Sequence, residues 1–415
     1  MKRYTQNSMS KEEIVATAKY GNIRLITELC LQQQLLDILP SLSEFVSLEH
    51  LDVSCNKLKR LDFISSCTTI TTLLVYDNEL EHLNDIERLF NLSTLHAQYN
   101  RIPEVDKCFT KLTNITDLRL DANRITQVPE DAFVRCTRLT NLDLSYNLLE
   151  SVEFIAYIPN LAYLSLSHNH IRSIDPLAKC PKLLDADVSD NLLMDHSLNS
   201  EGYRVIQRLN LSNNSITEMN DVEPVITLIS LNLCNNKLTK LPNLHSTFPK
   251  LETLELWGNQ LEDTEHLLNN LTKCENLREV SFDESMSKPD AGDSDNFSNR
   301  LITQMPQLVR VNGKEVRKID APKSSGVAQT YARQRQVYDL IEKQLSSLTQ
   351  ITSPMIASVN KSYDIIQELL TKVDEDMRQR SELALVEAQN PTSPGIQTKL
   401  NEALDFASSA TNKSS

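Results

Sequence analysis

Glycine is nearly missing from this chain, with seven in 415 residues. Phosphate-cradling loops need several closely spaced glycines so that the backbone can approach the ligand, which argues against the nucleotide-binding folds. GxxxxGK, GxGxxG, HExxH and GxSxG are absent too. No uninterrupted apolar run approaches the roughly 20 residues of a membrane span. Basic charge is in deficit: 42 Lys and Arg against 56 Asp and Glu, a formal net charge of −14. Such a surface repels phosphate backbones and anionic membranes, so neither nucleic acid nor membrane is expected as a partner. The eight cysteines form no CxxC and no terminal cluster, and the opening MKRYTQNSMSKEEIV has no apolar h-region. These features predict a cytoplasmic protein that is not secreted, with a cytoskeletal, ciliary or nuclear placement left open.

What is abundant is leucine at fixed spacing. The pattern L-x-x-L-x-L-x-x-N-x-L recurs in ten copies, with its asparagine at Asn56, Asn78, Asn100, Asn123, Asn147, Asn169, Asn191, Asn214, Asn236 and Asn259. Neighbouring copies are 22 to 24 residues apart. Degenerate copies flank them, one around Leu29 with Gln34 in the asparagine place, the other around Val280 with Ser285. A strict period of this length is a leucine-rich-repeat array of about twelve units. The fold class predicted is an α/β repeat solenoid with a parallel concave β-sheet. In each copy the L-x-L core alternates with period two, so the leucines point inward and the residues between them outward. The asparagine is expected at a buried turn, its amide serving backbone groups that are costly to leave unpaired. Cys67, Cys136, Cys180 and Cys274 each precede a repeat's first apolar residue by three positions and are expected in the core.

Four regions follow. Residues 1–24 hold an N-terminal tail and a capping helix over 11–20, started by the Ser10/Glu13 capping box and ended by Gly21. Residues 25–285 hold the repeats. Residues 286–321 hold a charged insertion and a C-terminal cap. Residues 322–415 hold a helical tail, with amphipathic helices over 327–350 and 355–388 and a disordered end. The second tail helix carries a heptad seam, Val359, Tyr363, Ile366, Leu370, Val373 and Met377, suited to contact with another helix.

Met305-Pro306-Gln307-Leu308, then Asn312-Gly313 and Val316, resemble the terminal cap of cytosolic leucine-rich-repeat proteins. With twelve 22-residue repeats, the chain is most similar to the leucine-rich-repeat regulatory subunit of protein phosphatase 1; axonemal leucine-rich-repeat proteins are also similar. The resemblance covers residues 11 to about 321. It implies a phosphatase catalytic subunit as partner, held by aromatic and acidic residues of the concave face, or tubulin and axonemal proteins. In the phosphatase family an aromatic comes between the two leucines of each of the last two strands; here Glu255 and Ser281 stand there, with Trp257 two positions beyond the first.

With no catalytic constellation, a non-catalytic protein-binding scaffold is predicted, with no cofactor and no metal. The structural alternative is a component of a microtubule or ciliary assembly. Partner contacts are expected at the outward positions of the concave strands: Leu74, Tyr76, His96, Tyr99, Asp117, Arg119, Asp121, Tyr146, Tyr163, His168, Asp185, Asp187 and Trp257. Tyrosine, tryptophan and arginine dominate interface energies, and the only tryptophan is among these. In LTNLDLSYNLL, Asn141, Asp143, Ser145 and Tyr146 are expected to face outward. REVSF, Arg278 to Phe282, matches a phosphatase-docking pattern, but Val280 and Phe282 fall on inward positions and are expected in the core.

Overall fold

A computed structural model describes residues 7–18, 22–194, 203, 205–219, 222–283 and 297–316. Ser285, the charged insertion before residue 297, and the tail contacts expected at Val359, Tyr363, Ile366, Leu370, Val373 and Met377 lie outside the described residues.

Among the described residues twelve three-residue strands run in parallel, one per repeat: β1 Glu28–Cys30, β2 His50–Asp52, β3 Thr72–Leu74, β4 Thr94–His96, β5 Asp117–Arg119, β6 Asn141–Asp143, β7 Tyr163–Ser165, β8 Asp185–Asp187, β9 Arg208–Asn210, β10 Ser230–Asn232, β11 Thr253–Glu255 and β12 Glu279–Ser281. Register is uniform, central residue opposite central residue, leucine on leucine at Leu118, Leu142 and Leu164 and with Ala186 and Val280 as the two substitutes. The central residue of every strand is buried, because the pleat sends it inward. Beyond the twelfth repeat, β13 Arg310–Val311 pairs in parallel with β12 and turns through Asn312-Gly313 into antiparallel β14 Lys314–Glu315. Both turn residues have positive φ, 50° and 73°, the conformation a two-residue hairpin demands. This hairpin leaves the last repeat strand paired on both sides.

Helix α1, Lys11–Thr17, starts from the predicted capping box: the Glu13 amide donates to the Ser10 hydroxyl and the Ser10 amide to the Glu13 carboxylate. It ends at Ala18, short of the expected residue 20, because Ala18 turns to an extended conformation. Ile14 is its one buried residue, docked under the first repeat.

The ladder asparagines do what their chemistry suggests. Asn147 donates from Nδ2 to the carbonyls of Leu120, Leu144 and Ser145, and its Oδ1 accepts from the Ile125 amide. The same set recurs at Asn56, Asn78, Asn100, Asn169, Asn191, Asn214 and Asn236, all buried. To aim that side chain inward, the residue just before it adopts a left-handed conformation with φ between 51° and 57°: Cys55, Asp77, Tyr99, Ala122, Tyr146, His168, Asp190, Asn213 and Asn235. Such a φ costs an L-residue about 1 kcal/mol, yet only one of these turns, at Gly258, uses glycine. A Cβ at Gly258 would sit 2.2 Å from Asn235 Oδ1 and 3.0 and 3.1 Å from the Asn235 backbone N and Cα, so a side chain here would have to push Asn235 aside, and space more than φ sets this turn apart.

In several repeats the residue three before the left-handed position also has a local duty. Asp143 Oδ1 accepts from the Ser145 amide (3.0 Å) and hydroxyl (2.6 Å); Asp187 does the same for Ser189, and Asn210 for Ser212. Ser145 is therefore 6% exposed, not outward-facing as expected, because this Asx turn folds it back under the coil.

On the return side, four thiols donate to carbonyls: Cys67 to Leu42, Cys136 to Phe109, Cys180 to Ile155 and Cys274 to Asn270. Burial pushes the thiol up to about 12 at Cys136 and Cys180 and to about 11 at Cys67 and Cys274. The folded pKa lies above the unfolded value, so the contribution to stability is full below about pH 8.5 and is lost as pH rises toward the folded pKa. At pH 10 this amounts to about 2 kcal/mol for one fully buried thiol. Urea unfolding from pH 8 to 10 should accordingly show a shallower loss of stability in Cys136→Ser than in the parent; equal slopes would contradict the assignment.

Candidate functional site

The strands expose two rows of side chains on the open face of the sheet, and the left-handed turns add a third at its edge. In the strand rows, charge dominates from β4 to β9. His96 Nε2 lies 3.1 Å from Asp117 Oδ2. Arg119 reaches Asp121 at 3.2 Å and Asp143 at 3.8 Å, and Arg208 reaches Asp185 at 2.6 Å. Asp117, Arg119, Asp143, Tyr163, Ser165, Asp185 and Asp187 line a depression of about 330 Å³. Its chemistry is carboxylate-rich: the guanidinium groups that balance it, Arg119 and Arg208, are already engaged with Asp121 and Asp185.

The edge row is where the aromatics gather. Tyr99 is 61% exposed and Tyr146 56%, both at left-handed positions, and Tyr163 adds a 41% exposed ring from β7. Tyr146 stacks on His168 with ring centroids 4.0 Å apart and planes at 20°. His168 Nε2 lies 3.5 Å from Asp190 Oδ2, which accepts from Asn213 Nδ2 at 3.1 Å; Asn213 Oδ1 in turn accepts from Asn235 Nδ2. Burial, then the charges of Asp190, Tyr99 and Asp187, pushes the Tyr146 phenol above its usual value, so it remains neutral.

Several expected contact residues sit elsewhere than the alternation rule placed them. Asp121 is 5% exposed: it follows β5 on the inturning side, and Arg119 folds over it with Nε and Nη2 on its two oxygens. Burial and the neighbouring Asp143 raise its carboxyl pKa, against the pull of Arg119. It anchors Arg119 and has little surface to offer a partner. Leu74, expected to be exposed, is half-buried, as are Tyr76, which accepts from Gln32 Nε2 at 2.9 Å, and His96. His168 belongs to the turn and not to the strand end. Trp257 is 46% exposed but stands beyond β11, three strands past the acidic depression, and forms a separate feature. Glu255 and Ser281 occupy outer positions of β11 and β12, while Val280 and Phe282 are 3% and 4% exposed, as expected of core residues. Phe282 packs edge-on against Phe297, centroids 4.9 Å apart. Arg208, Asn213, Asn235 and Ala122 were not foreseen. Aligning the column just before each ladder asparagine is the sequence signal that finds the last three.

One model described as "Leucine rich repeat" matches residues 113–171, and a second, "Leucine Rich repeats (2 copies)", matches 226–269. The array is a leucine-rich-repeat solenoid. Two internalins of Listeria monocytogenes share the fold. InlF has TM-score 0.53 at 20% identity, over 70% of this chain and 87% of that one. InlJ has TM-score 0.54 at 22% identity, over 71% and 65%. Among curated relatives, Tsukushi-A of Xenopus laevis is 27% identical over 56% of this chain and 52% of its own length. Tsukushi of Gallus gallus is 32% identical over 37% of each. A protein phosphatase 1 regulatory inhibitor subunit homologue of Arabidopsis thaliana is 29% identical over 30% of this chain and 38% of that protein. The chain thus spans about half or less of these relatives, and the repeats resemble those of the phosphatase regulatory subunit as expected. The expected compartment is corrected. Tsukushi is a secreted leucine-rich-repeat protein, and three matches to it point to secretion, against the cytoplasmic, non-secreted placement read from the cysteines and the N-terminal residues. Those signals fail because the buried thiols serve repeat packing and carry no compartment information.

Proposed function

We propose that this leucine-rich-repeat solenoid is a non-catalytic scaffold that holds a folded protein partner on the open face of its sheet, between β4 and β9. One observation carries the reading: exposed Tyr163 lines a carboxylate-rich depression, and Tyr99 and Tyr146 stand exposed on the edge row of the same stretch of repeats. Exposed aromatic groupings of this kind mark contact surfaces. The partner complementary to it presents apolar area flanked by basic side chains. Binding of that partner should weaken by about 30- to 100-fold in Tyr99→Ala/Tyr146→Ala, roughly 1 kcal/mol or more per ring. The circular dichroism spectrum should stay unchanged, since both rings lie outside the core. Capture of the partner at undiminished affinity by that variant would refute the assignment.

The similarity to a phosphatase regulatory inhibitor subunit supports a second, narrower reading, in which the partner is a phosphatase catalytic subunit. Glu255 and Ser281, standing where that family has aromatics, weigh against it. Titrating protein phosphatase 1 catalytic subunit onto the immobilised chain decides the matter: no binding retires the phosphatase and leaves the sheet-face scaffold in place. None of the relatives named above is axonemal, so the cytoskeletal alternative lacks support.

A further inference from the structure

We propose that Tyr99 and Tyr146 are the two walls of a slot, floored by Ala122, that takes one arginine side chain of the protein partner; the proposal rests on the sheet-face reading above. The three residues occupy the same left-handed position in consecutive repeats, with φ of 56°, 51° and 53°. Hydrogen bonds keep these positions in step: the Tyr99 amide donates to Asp121 O (3.1 Å), Ala122 to Ser145 O (2.9 Å) and Tyr146 to Ser167 O (2.8 Å). Parallel neighbours are about 4.8 Å apart, so the tyrosine positions are about 10 Å apart, and the methyl group between them fills little of the gap. With the rings standing over those positions, a cation midway is about 5 Å from each, inside the ~6 Å reach of a cation–π contact. A planar guanidinium stacks on both faces at once, which a tetrahedral ammonium does not.

The second wall is braced from behind. Tyr146 leans on His168 at 4.0 Å, and the chain His168, Asp190, Asn213, Asn235 carries the support across three further repeats. A side chain fixed in this way loses little rotamer entropy when a partner arrives. The charge around the slot is complementary to a cation: Asp190 and Asp187 act on the Tyr146 phenol and Asp77 holds the left-handed position next to Tyr99, while Arg119 and Arg208 are engaged with Asp121 and Asp185. The upward shift of the Tyr146 phenol has negative charge among its causes and agrees with this field.

The test is a titration of the full chain, labelled with carbon-13 at the tyrosine rings, with acetyl-Ala-Arg-Ala-amide and with its citrulline and lysine counterparts. The arginine peptide should shift the Tyr99 and Tyr146 ring signals, assigned with Tyr99→Phe and Tyr146→Phe, and bind about tenfold tighter than either counterpart. Ala122→Leu fills the slot and leaves both walls; it should abolish those shifts. The substitution suits the backbone, since Leu35 already has φ of 56° in this chain. Equal binding of the citrulline or lysine peptide, shifts spread over other tyrosines, or wild-type binding by Ala122→Leu would each overturn the slot. The peptide comparison needs no variant and therefore stands even if Ala122→Leu folds poorly. A partner captured by Ala122→Leu as by wild type, yet lost by Tyr99→Ala/Tyr146→Ala, would overturn the slot while sparing the sheet face. A partner captured by all three proteins would remove both.

Discussion

Asn147→Ala should cost about 4 kcal/mol and melt the array locally before it unfolds globally. The substitution removes four hydrogen bonds at once: the Ile125 amide loses its acceptor, and the carbonyls of Leu120, Leu144 and Ser145 each lose one of two donors, keeping Asn123 Nδ2, Asn169 Nδ2 and the Ala122 amide respectively. Asn147 is 4% exposed, so water does not replace these bonds without opening the coil. Each of the three carbonyl bonds lost costs about 1 kcal/mol and the orphaned Ile125 amide about 1–3 kcal/mol, which partial relaxation trims to the total given. Repeat arrays are stabilised by nearest neighbours, so the loss concentrates in the fifth and sixth coils. Amide exchange at Ile125 should accelerate more than at amides of the first or last coils, and the urea midpoint should fall. Uniform acceleration would mean that the coupling reaches further than one neighbour. Asn147→Asp refines the point. The introduced carboxyl meets three carbonyls, so its folded pKa rises above the usual carboxylate value, and its destabilisation should deepen as pH rises from 4 to 7. Asn259→Ala, at a half-buried position with two carbonyl contacts, should cost about half as much.

Phe133→Ala is expected to lower stability by about 3–5 kcal/mol, the range for emptying a buried aromatic site. Phe133 is fully buried on the return side, edge-on to Phe109 at 5.3 Å and to Phe154 at 5.8 Å. The three rings come from successive repeats, so this spine ties coils together on the side where no sheet runs. The return segment that carries Phe133 joins the asparagines 24 residues apart, the longest gap in the array. Phe133→Leu should cost nearer 1 kcal/mol, because most of the volume is kept and only the edge-to-face contacts go. Thermal or urea denaturation of both variants checks this; a Phe133→Ala loss below about 1 kcal/mol would mean that the neighbouring rings collapse into the space.

The core was legible because the repeat imposes it: a leucine that recurs with fixed spacing has one place to go. The site was only half legible, for a reason visible at Tyr146. Period-two alternation carries outward and inward positions along a strand, but the strand ends at Asp143, and the chain then curls so that Ser145 goes under and Tyr146 swings to the edge. Reading on with the same alternation misplaced Ser145, Asp121 and His168. Burial of Asp121 also needed Arg119 to fold back over it, a contact two residues apart in sequence that no periodicity announces. The phenylalanine spine was invisible for the opposite reason, since it links residues more than twenty apart on segments without a shared pattern.

The left-handed turns have a metrical consequence. They set out side chains along the sheet edge like marks on a scale, one per coil, about 4.8 Å apart. An α-helix laid along that scale advances about 5.4 Å per turn and slips only about 0.6 Å at each mark, so it falls half a division out of step after about four coils. An extended strand, advancing about 6.7 Å between side chains on one face, is out of step almost at once. Four coils is the interval from Tyr99 to Asp190. The length of the aromatic and acidic stretch thus equals the distance over which a straight helix stays in phase with this edge, and an inserted or deleted coil between those two residues would change the pitch match along with the contacts.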